Sequence, residues 1–377
     1  MEKVRSLPRV VIDARTVGLI PHGFARYVTQ LAEGLAQLRE TRGLEYEPVF
    51  LVGPNCSAPV FSRFRTRRAR VAIHKPGEIL EIPSLLRMEH AKLYHSPTFS
   101  SLVWSPCPWI VTVHDLNHLT YGDLGKKIYY EALLKRFAKG AAALLTVSRF
   151  SRSELAAWLE MNSDQIEVVY NALDPALLTQ ASAASTRAVL EKHGLESGRY
   201  FLSLSNSKPH KNLGVLLKAL RLRQGTSASV RWPLVLTLSS YEVLPGLVQT
   251  GPLNDQDSRI LLAHCGALLF PSLYEGFGLP PLEALASGVP AAISDIAPHR
   301  EAIGELPESA RKAVRWVDPR VESEWARAMD EIADAAERGQ AIRVSQEDRN
   351  AVVARFSPES LATHMDRIYL RVLGSKR

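Results

Sequence analysis

The segment from residue 267 to residue 293 constrains the fold more than any other part of the chain. An apolar run, Ala267–Pro271, precedes a loop rich in glycine and proline, and a second apolar run, Val289–Ile293, follows it. Pro280 and Pro281 suit the start of a helix, and Gly288 suits its end. The segment therefore predicts a strand, a loop, a short helix and a second strand of an open parallel sheet, in which ligands bind at the carboxyl ends of the strands.

Two glutamates, Glu275 and Glu283, flank the glycines of this loop. Carboxylates repel phosphates, but they accept hydrogen bonds from sugar hydroxyls. Glu283, which we place in the first turn of the predicted helix, suits a ribose diol, and Glu275 suits the hydroxyls of a second sugar. Backbone N–H groups at the helix start suit a diphosphate between them. This order of groups describes a nucleotide sugar, although a turn that carries surface acids explains the pattern equally well.

Length and composition place the chain among ordinary globular proteins. Its 377 residues suggest two or three domains, at about 150 residues each. The longest apolar runs fall short of the ~18 residues that a membrane-spanning helix needs, and we see no signal-peptide pattern. Because the three cysteines are isolated and odd in number, we expect a reducing cytosol and neither a disulfide framework nor a zinc site.

The net charge of +7 is partly concentrated in two basic segments that also carry aromatic residues. Such segments bind anionic membrane surfaces or nucleic acid. Because no nucleic-acid motif is visible, we expect an anionic membrane surface as a partner and no nucleic acid; solvated faces without a partner are the alternative. The basic residues are Arg63, Arg65, Arg67, Arg68 and Arg70 in the first segment, and Lys126, Lys127, Lys135, Arg136 and Lys139 in the second.

Strand-like and helix-like segments alternate along the chain, interrupted by a connector at residues 172–198 that lacks strand signals. This alternation predicts two doubly wound α/β domains with a cleft between them. Ser151 and Glu154 form a capping-box pattern at a helix start, and Asn212 suits the cap of another helix. The predicted strands are Arg9–Asp13, Trp109–Val113, Leu144–Val147, Gln165–Tyr170, Tyr200–Ser205, Pro233–Leu238 and Ala267–Pro271, and the helical patterns are Phe24–Leu38, Leu213–Leu220 and Pro358–Leu373.

With these motifs the sequence resembles the retaining glycosyltransferases of family 4, which have the GT-B fold, and among them the mannosyltransferases of surface polysaccharide or O-antigen synthesis. The resemblance covers nearly the whole chain and is most specific over residues 251–304. It rests on the E-x7-E signature of Glu275 and Glu283, on Asp295 and Glu301 beyond it, and on Asp13-Ala14-Arg15, Gly23-x-x-Arg26-Tyr27, His114-Asp115, Thr146-Val147-Ser148, Val169-Tyr170-Asn171 and Pro209-x-Lys211-Asn212.

The resemblance implies a domain plan and an activity. It implies an acceptor-binding Rossmann-like domain at residues 1–175, a nucleotide-sugar-binding Rossmann-like domain at 176–355, and a helix at 356–377 that returns to the first domain. The implied reaction moves a hexose, mannose favoured, to an acceptor hydroxyl with retention and without metal or cofactor. GDP-mannose is the favoured donor, with UDP- and dTDP-sugars open. The implied acceptor is a lipid-linked saccharide, and the implied location is cytoplasmic, at the inner face of the cytoplasmic membrane.

The same resemblance assigns the site residues. Glu283 would bind the ribose, and Lys211 would pair with the diphosphate unless it is only an exposed surface lysine. His114, Glu275 and Lys211 are implied as the catalytic residues. The remaining donor-side residues are Asn206, His210, Gly276, Phe277, Gly278 and Leu279, and the acceptor-side residues are Gly23, Arg26, Tyr27 and Asp115.

The chain departs from the family pattern at two places. Many relatives carry an arginine close to the lysine, where this chain has His210 and Asn206, so the resemblance puts more of the leaving-group stabilisation on Lys211 and on backbone amides. The glycine-rich loop near the N-terminus is loose, because Gly18 and Gly23 are separated by four residues.

Three other classes stay open. Asp255-Gln256-Asp257 matches the DxD motif of metal-dependent transferases of the other main fold, although it also suits the cap of a helix at residues 258–263. A GT-B isomerase or phosphorylase is the second class, and a non-catalytic subunit that binds a partner enzyme is the third. His114, Asp115 and His118 form an H-D-x-x-H run, but we expect no metal there because the family works without one.

Overall fold

The chain divides into two compact units in the computed structural model. The structure describes residues 7–18, 23–56, 58–98, 100, 103–122, 124–204, 206–224, 232–239 and 242–374. The first unit comprises residues 1–172 and 356–377, and the second unit comprises residues 173–355. The connection from the first unit to the second thus lies at 172/173, where the sequence suggests 175/176.

Each unit is built on a sheet of parallel strands. In chain order the strands are β1 Arg9–Ala14, β2 Glu47–Val52, β3 Arg65–Arg68, β4 Ala91–Ser96, β5 Trp109–Thr112, β6 Ala143–Thr146, β7 Ile166–Val168, β8 Phe201–Ser203, β9 Leu234–Leu236, β10 Leu247–Gln249, β11 Ala267–Phe270, β12 Ala291–Ser294 and β13 Val314–Val317. Over the described residues the first sheet has the order β3-β2-β1-β4-β5-β6-β7 and the second β10-β9-β8-β11-β12-β13. The order reverses between β1 and β4 and between β8 and β11, which confirms two doubly wound units.

Helices connect and cover the strands. In chain order they are α1 Gly23–Thr41, α2 Glu78–Met88, α3 Asn117–Tyr121, α4 Leu124–Tyr129, α5 Lys135–Ala138, α6 Arg149–Leu159, α7 Ala183–Lys192, α8 Leu213–Leu222, α9 Asp255–His264, α10 Leu279–Ala286, α11 Ala297–Gly304, α12 Glu308–Arg311, α13 Glu322–Glu337, α14 Gln346–Arg355 and α15 Pro358–Leu373. A π-helical turn spans Tyr130–Leu134, and 3-10 turns span Pro59–Arg63, Ser163–Gln165, Pro175–Leu178 and Pro209–Lys211. No helix of the described part of the chain is both long and apolar enough to cross a membrane.

The edge strand β3 is charged, unlike the apolar central strands. Arg65 and Arg67 both donate to the carboxylate of Glu89, whose side chain is fully buried. Arg9 contacts the same carboxylate at 3.6 Å. The first basic segment is therefore partly neutralised within the fold, and its charges also discourage pairing of this sheet edge with another chain.

The last helix, α15, packs on α1 inside the first unit. Gly34 of α1 makes this approach possible, because a Cβ there would lie 2.0 Å from the carbonyl oxygen of Pro358. Arg42 donates to the buried carboxylate of Asp366 at 2.7 Å, and the Tyr369 hydroxyl lies 2.6 Å from Nδ1 of His95, a residue of β4. The first unit is thus completed by residues from both ends of the chain.

Two helix caps and five strands differ from the sequence expectations. Helix α6 begins at Arg149, because the Ser148 hydroxyl accepts the N–H of Ser151, so the capping box expected at Ser151 is wrong. Helix α9 is capped by Asn254, which accepts the N–H of Asp257, and not by the acids of the DxD match. Strands β2, β3, β4, β10 and β13 were not predicted from the sequence.

Candidate functional site

The candidate donor site lies at the carboxyl ends of adjacent strands in the second unit. Lys211 follows β8 and Glu275 follows β11, and the order of the sheet reverses between these two strands. In doubly wound sheets the crevice at such a reversal is the usual ligand site. The E-x7-E segment and the Pro-x-Lys-Asn motif are therefore brought together by topology.

Lys211 and Glu275 form an ion pair. Nζ of Lys211 lies 2.7 Å from Oε1 of Glu275, and the two side chains are 17% and 14% exposed. Burial raises the pKa of Glu275, but the charge and the hydrogen bond of Lys211 outweigh it, so the pKa lies below its ordinary value. The ammonium also lies 5.4 Å from the centre of the Phe270 ring. Lys211 is therefore ion-paired with the loop that carries Glu275, and it is not an isolated surface lysine.

Asn212 holds Lys211 against this loop. It adopts a left-handed backbone conformation with φ 53°, and its side-chain amide donates to the carbonyls of Pro271 at 3.1 Å and Pro319 at 2.6 Å. The N–H of Leu273 donates to the carbonyl of His210 at 2.8 Å. Asn212 takes the N-cap position of α8 as predicted, but its side chain makes no cap bond, because its amide joins the two loops.

Gly278 shapes the loop before α10. Its φ is 96°, a conformation that glycine adopts without strain, and it takes the N-cap position of α10. A Cβ at Gly278 would lie 2.6 Å from Cδ2 of His299. The same turn contains Gly276, Phe277 and Leu279. Because Gly278 has no side chain, the backbone of this turn can lie close to the ring of His299.

Glu283 is buried and is the fifth residue of α10. The expectation that it lies in the first helical turn is wrong, because Gly278 in its left-handed conformation lets the helix begin at Leu279. Gly288, with φ 87°, follows the last turn as predicted. Glu283 is therefore held by a short helix whose two ends are both set by glycines.

The two residues that stand in place of an arginine add no fixed positive charge. Burial, followed by the charge of Lys211, lowers the pKa of His210 to about 4, so the imidazole is neutral at pH 7. Asn206 is exposed, and its side-chain oxygen accepts the N–H of Lys208 at 3.1 Å. Lys211 is thus the cation that lies closest to Glu275 among the described ion pairs of this loop.

His299, which the sequence analysis missed, lies at the same edge of the sheet. It follows β12, is 1% exposed and packs on the Phe270 ring with centroids 5.4 Å apart. Its Nδ1 lies 2.9 Å from the carbonyl oxygen of Ser294. No signal in the sequence marks this histidine, because the turn of Gly278, where a Cβ would lie 2.6 Å from the ring, is distant from it in the sequence.

His114 is buried in the first unit after β5. Its Nε2 lies 2.8 Å from the carbonyl oxygen of Pro97. A carbonyl only accepts, so Nε2 carries the proton. The rings of Phe24 and Tyr27 pack against His114 with centroids 5.0 and 4.8 Å away, and burial lowers its pKa to about 4. The structure therefore brings His114 and Tyr27 together, and the imidazole of His114 is neutral at pH 7 and is held between two aromatic rings.

The other acceptor-side residues lie in α1 and in the segment that directly follows His114. Gly23 opens α1 and Arg26 is exposed on it, whereas Asp115 accepts the N–H of Asn117 at 2.9 Å. The residues between Gly18 and Gly23, on which the loose glycine loop depends, lie outside the described residues. The described part of the chain contains no group of three histidine, cysteine or acidic residues placed to hold a metal ion.

Asp13 and Arg15, from one of the short motifs, form a buried network at the end of β1. The guanidinium of Arg15 contacts Asp13 at 2.6 Å and Glu78 at 2.9 Å, and the Tyr94 hydroxyl donates to Asp13 at 2.8 Å. Arg15 also donates to the carbonyl of Val71. Two carboxylates share one guanidinium here, and burial raises the pKa of Glu78. This motif therefore fixes the segment before α2.

Two family models match the chain. The one described as Glycosyltransferase Family 4 matches residues 21–177, and the one described as Glycosyl transferases group 1 matches residues 186–343. Two parallel-sheet Rossmann-like units together with these matches define the class of GT-B glycosyltransferases. The chain belongs to glycosyltransferase family 4, and the resemblance predicted from its motifs is confirmed.

Comparison with individual proteins agrees with this assignment. The chain is 29% identical over 243 residues to the O-antigen chain mannosyltransferase RfbU of Salmonella typhimurium, covering 60% of this chain and 62% of that protein. It is 32% identical over 231 residues to O-antigen chain mannosyltransferase B of Escherichia coli, covering 56% and 59%. The matched part thus spans less than two thirds of each relative. The sucrose-phosphate synthase structure from Thermosynechococcus elongatus shares the fold with a TM-score of 0.72, at 18% identity over 98% of this chain and 100% of that one.

Proposed function

We propose that this protein transfers a hexose, with mannose favoured, from a nucleoside-diphosphate sugar to an acceptor hydroxyl with retention of the anomeric configuration. The observation that carries the proposal is the ion pair of Lys211 and Glu275 beside the glycine loop at the reversal of the second sheet. The similarity to two O-antigen chain mannosyltransferases supports mannose as the sugar, and GDP-mannose is therefore the favoured donor.

The site residues suit the separate parts of such a donor. The backbone N–H groups of residues 276–279, at the turn that leads into α10, suit the diphosphate, and the ammonium of Lys211 supplies a fixed positive charge beside it. Glu275 suits the hydroxyls of the transferred sugar, and Glu283 suits the ribose diol. Negative charge grows on the diphosphate as it leaves, and a cation already in place stabilises that charge without reorganisation. This is our reason for proposing a reaction without a metal ion.

The proposed step exchanges one bond for another at the anomeric carbon. The bond from that carbon to the diphosphate oxygen breaks, and a bond to the acceptor oxygen forms on the same face. The acceptor proton passes to the departing diphosphate, so no carboxylate nucleophile is required. In the first unit, the neutral imidazole of His114 is proposed to orient the acceptor or the transferred sugar, since burial keeps it uncharged at pH 7.

Calorimetric titration with GDP-mannose, UDP-glucose and a dTDP-sugar, with and without EDTA, tests the donor site. We expect EDTA-insensitive binding of one donor, with GDP-mannose favoured. Lys211→Ala should weaken it at least tenfold, because a charge-assisted contact contributes about 1.5–3 kcal/mol. Lys218→Ala, an exposed lysine on α8, is the matched control. Failure of every donor to bind would favour the non-catalytic subunit, and binding that EDTA abolishes would favour a metal-dependent enzyme.

We propose a lipid-linked saccharide as the acceptor, reached from an anionic membrane surface. The first basic segment is a poor candidate for that contact, since Arg63 pairs with Glu33 and Glu40 and two further arginines hold Glu89. Helix α4 suits it better, because Leu124 and Ile128 are 73% and 56% exposed beside Lys127. This combination of apolar and basic side chains is typical of interfacial helices.

Vesicle sedimentation tests the membrane contact. The double variant Leu124→Ser and Lys127→Glu should lose binding to vesicles that contain phosphatidylglycerol. Arg68→Glu, an exposed charge reversal in β3, should bind nearly as the wild type does. If Arg68→Glu abolishes binding and the α4 variant does not, the contact belongs to the first basic segment. If the wild type does not bind at all, the membrane proposal is wrong.

A further inference from the structure

His299 is a buried imidazole with one nitrogen engaged and the other available. Because Nδ1 lies 2.9 Å from the carbonyl oxygen of Ser294, Nδ1 carries a proton and donates it. Nε2 is buried and has no hydrogen-bond partner among the described residues. It faces the turn of Gly278, since a Cβ on that glycine would lie 3.0 Å from Nε2. An imidazole held in this way can gain a second proton on Nε2 without turning its ring.

The charged groups around His299 come from three elements. Glu275 belongs to the loop after β11, Lys211 to the turn after β8, and Asp295 to the end of β12. Glu275 and Lys211 neutralise each other, and Asp295 is paired with Arg300 at 2.6 Å in an exposed position. The buried site therefore has no net charge as it stands. A diphosphate that enters this site competes with Glu275 for its one ammonium.

We propose that His299 takes up a proton when a nucleotide sugar binds and then stabilises the carboxylate of Glu275 while Lys211 turns to the diphosphate. The proton comes from solvent and goes to Nε2, the Nδ1–H stays on Ser294, and no covalent bond to carbon or oxygen changes. His299 is thus a positioning residue that acts through Glu275. This inference rests on the donor site proposed above.

His210 is less suited to this role although it is also a buried imidazole. It directly precedes Lys211 in the chain, and the pKa of His210 is lowered to about 4 by burial and then by the charge of Lys211. Lys208 opposes its protonation as well. Burial is the largest influence against a proton on both imidazoles, but among the charged groups around His299 both Glu275 and Asp295 favour a proton and Lys211 opposes it, whereas at His210 two lysines oppose it and only Glu275 favours it.

The direction of the pH effect follows from the two states. Burial lowers the pKa of His299 in the free protein, so the imidazole is neutral at pH 7. Departure of Lys211 and arrival of two phosphate charges raise the pKa in the complex. At a pH between the pKa of His299 in the free protein and its pKa in the complex, binding takes up a proton. In that range the affinity for the nucleotide sugar increases by up to about tenfold for each unit by which the pH is lowered. We therefore expect GDP-mannose to bind more tightly at pH 6 than at pH 8.

Calorimetry with GDP-mannose in two buffers of different ionisation enthalpy counts the protons. A nucleotide sugar is a suitable probe because both of its phosphates are esterified and neither titrates near pH 7. We expect uptake of up to about one proton per nucleotide sugar bound by the wild type. His299→Gln should still bind but take up almost none, and its affinity should become nearly independent of pH. His264→Gln, at the end of α9, should behave as the wild type does.

Each outcome decides the inference. Uptake that His299→Gln abolishes supports it. Binding by the wild type without proton uptake, or the same uptake in His299→Gln, overturns it and leaves the donor site intact. If the wild type does not bind GDP-mannose or another nucleotide sugar, the proposed donor site fails and this inference fails with it. If His299→Gln does not fold, the pH dependence of wild-type affinity decides, since a flat profile from pH 6 to pH 8 excludes a linked proton.

Discussion

Replacement of Lys211 by alanine leaves the carboxylate of Glu275 buried without its cation. The two side chains are 17% and 14% exposed, and their charged atoms lie 2.7 Å apart. Burial alone raises the pKa of Glu275, and the charge of Lys211 is the largest influence that lowers it. In the variant, burial dominates, so we expect the pKa of Glu275 to move above its ordinary value.

The loss of stability in Lys211→Ala cannot exceed the free energy needed to protonate Glu275, because a protonated Glu275 no longer needs a cation. A buried carboxylate that loses its partner costs about 3–5 kcal/mol. A glutamate with an ordinary pKa of about 4.3 can instead be neutralised at pH 7 for about 3.7 kcal/mol, at about 1.4 kcal/mol per pH unit. At pH 5 the same limit is about 1 kcal/mol. Lys211→Ala should therefore destabilise the second unit by about 3 kcal/mol at pH 7 and by about 1 kcal/mol at pH 5.

The sign agrees with the wild-type behaviour of Glu275. A carboxylate whose folded pKa is lowered contributes stability that is present above its unfolded pKa and is lost as the pH falls through the folded value. Both pH values lie above the unfolded pKa of about 4.3, so the contribution of Glu275 to the stability of the wild type is nearly constant between pH 5 and pH 7. The variant, whose Glu275 has a raised pKa, is penalised over the same interval, so the difference between the two widens with pH.

Urea unfolding at pH 5 and pH 7 measures this difference. Lys218→Ala, an exposed lysine on α8, controls for the loss of a lysine as such and should change stability by less than about 0.5 kcal/mol. The double variant Lys211→Ala and Glu275→Gln removes the lone carboxylate and should recover most of the loss at pH 7. Equal destabilisation at both pH values, or a double variant no more stable than the single one at pH 7, would refute the reasoning.

Three further results are expected from other parts of the chain. Gly34→Ala places a Cβ against the carbonyl of Pro358 and should cost about 1–3 kcal/mol; hydrogen exchange should show the last helix losing protection first, and unchanged exchange would contradict the packing. Glu89→Gln should lower the free energy of unfolding in urea by about 2–4 kcal/mol, because a fully buried carboxylate that pairs with two arginines is lost; an unchanged free energy of unfolding would mean that hydration stabilises the two arginines as well as the carboxylate does. Glu283→Gln should weaken GDP-mannose binding about tenfold or more in calorimetry, and wild-type affinity would exclude Glu283 from the ribose site.

The sequence predicted the elements whose signals are local. The final helix was predicted at Pro358–Leu373, the bounds found in the structure, because its apolar residues follow a regular local pattern. Strand β11 was predicted within one residue for a similar reason. Strand β3 could not be predicted, since Arg65–Arg68 is a run of charges, and the carboxylate of Glu89 that compensates them comes from a distant turn.

In the candidate site, too, the residues that belong to local motifs were predicted, whereas the contacts between distant segments were not. Glu275 and Lys211 were predicted from motifs, but their direct ion pair was not, because it depends on the adjacency of β8 and β11. Asn212 was assigned to a cap by its residue type, whereas its amide joins two loops that are distant in sequence. His299 gave no signal because its environment is created by three separate loops. Contacts of this kind are set by the order of strands in the sheet, which local patterns do not encode.

The division of the chain, in which residues 356–377 belong with residues 1–172, has a consequence for synthesis on the ribosome. The second unit is continuous in sequence, so all of its strands and helices are synthesised before the last helix. The first unit begins earlier but waits for α15, with Gly34 and the apolar face of α1 open until then. The first unit can therefore be completed only after the whole second unit has been synthesised, and a ribosome that stalls before Pro358 leaves the first unit without its last helix.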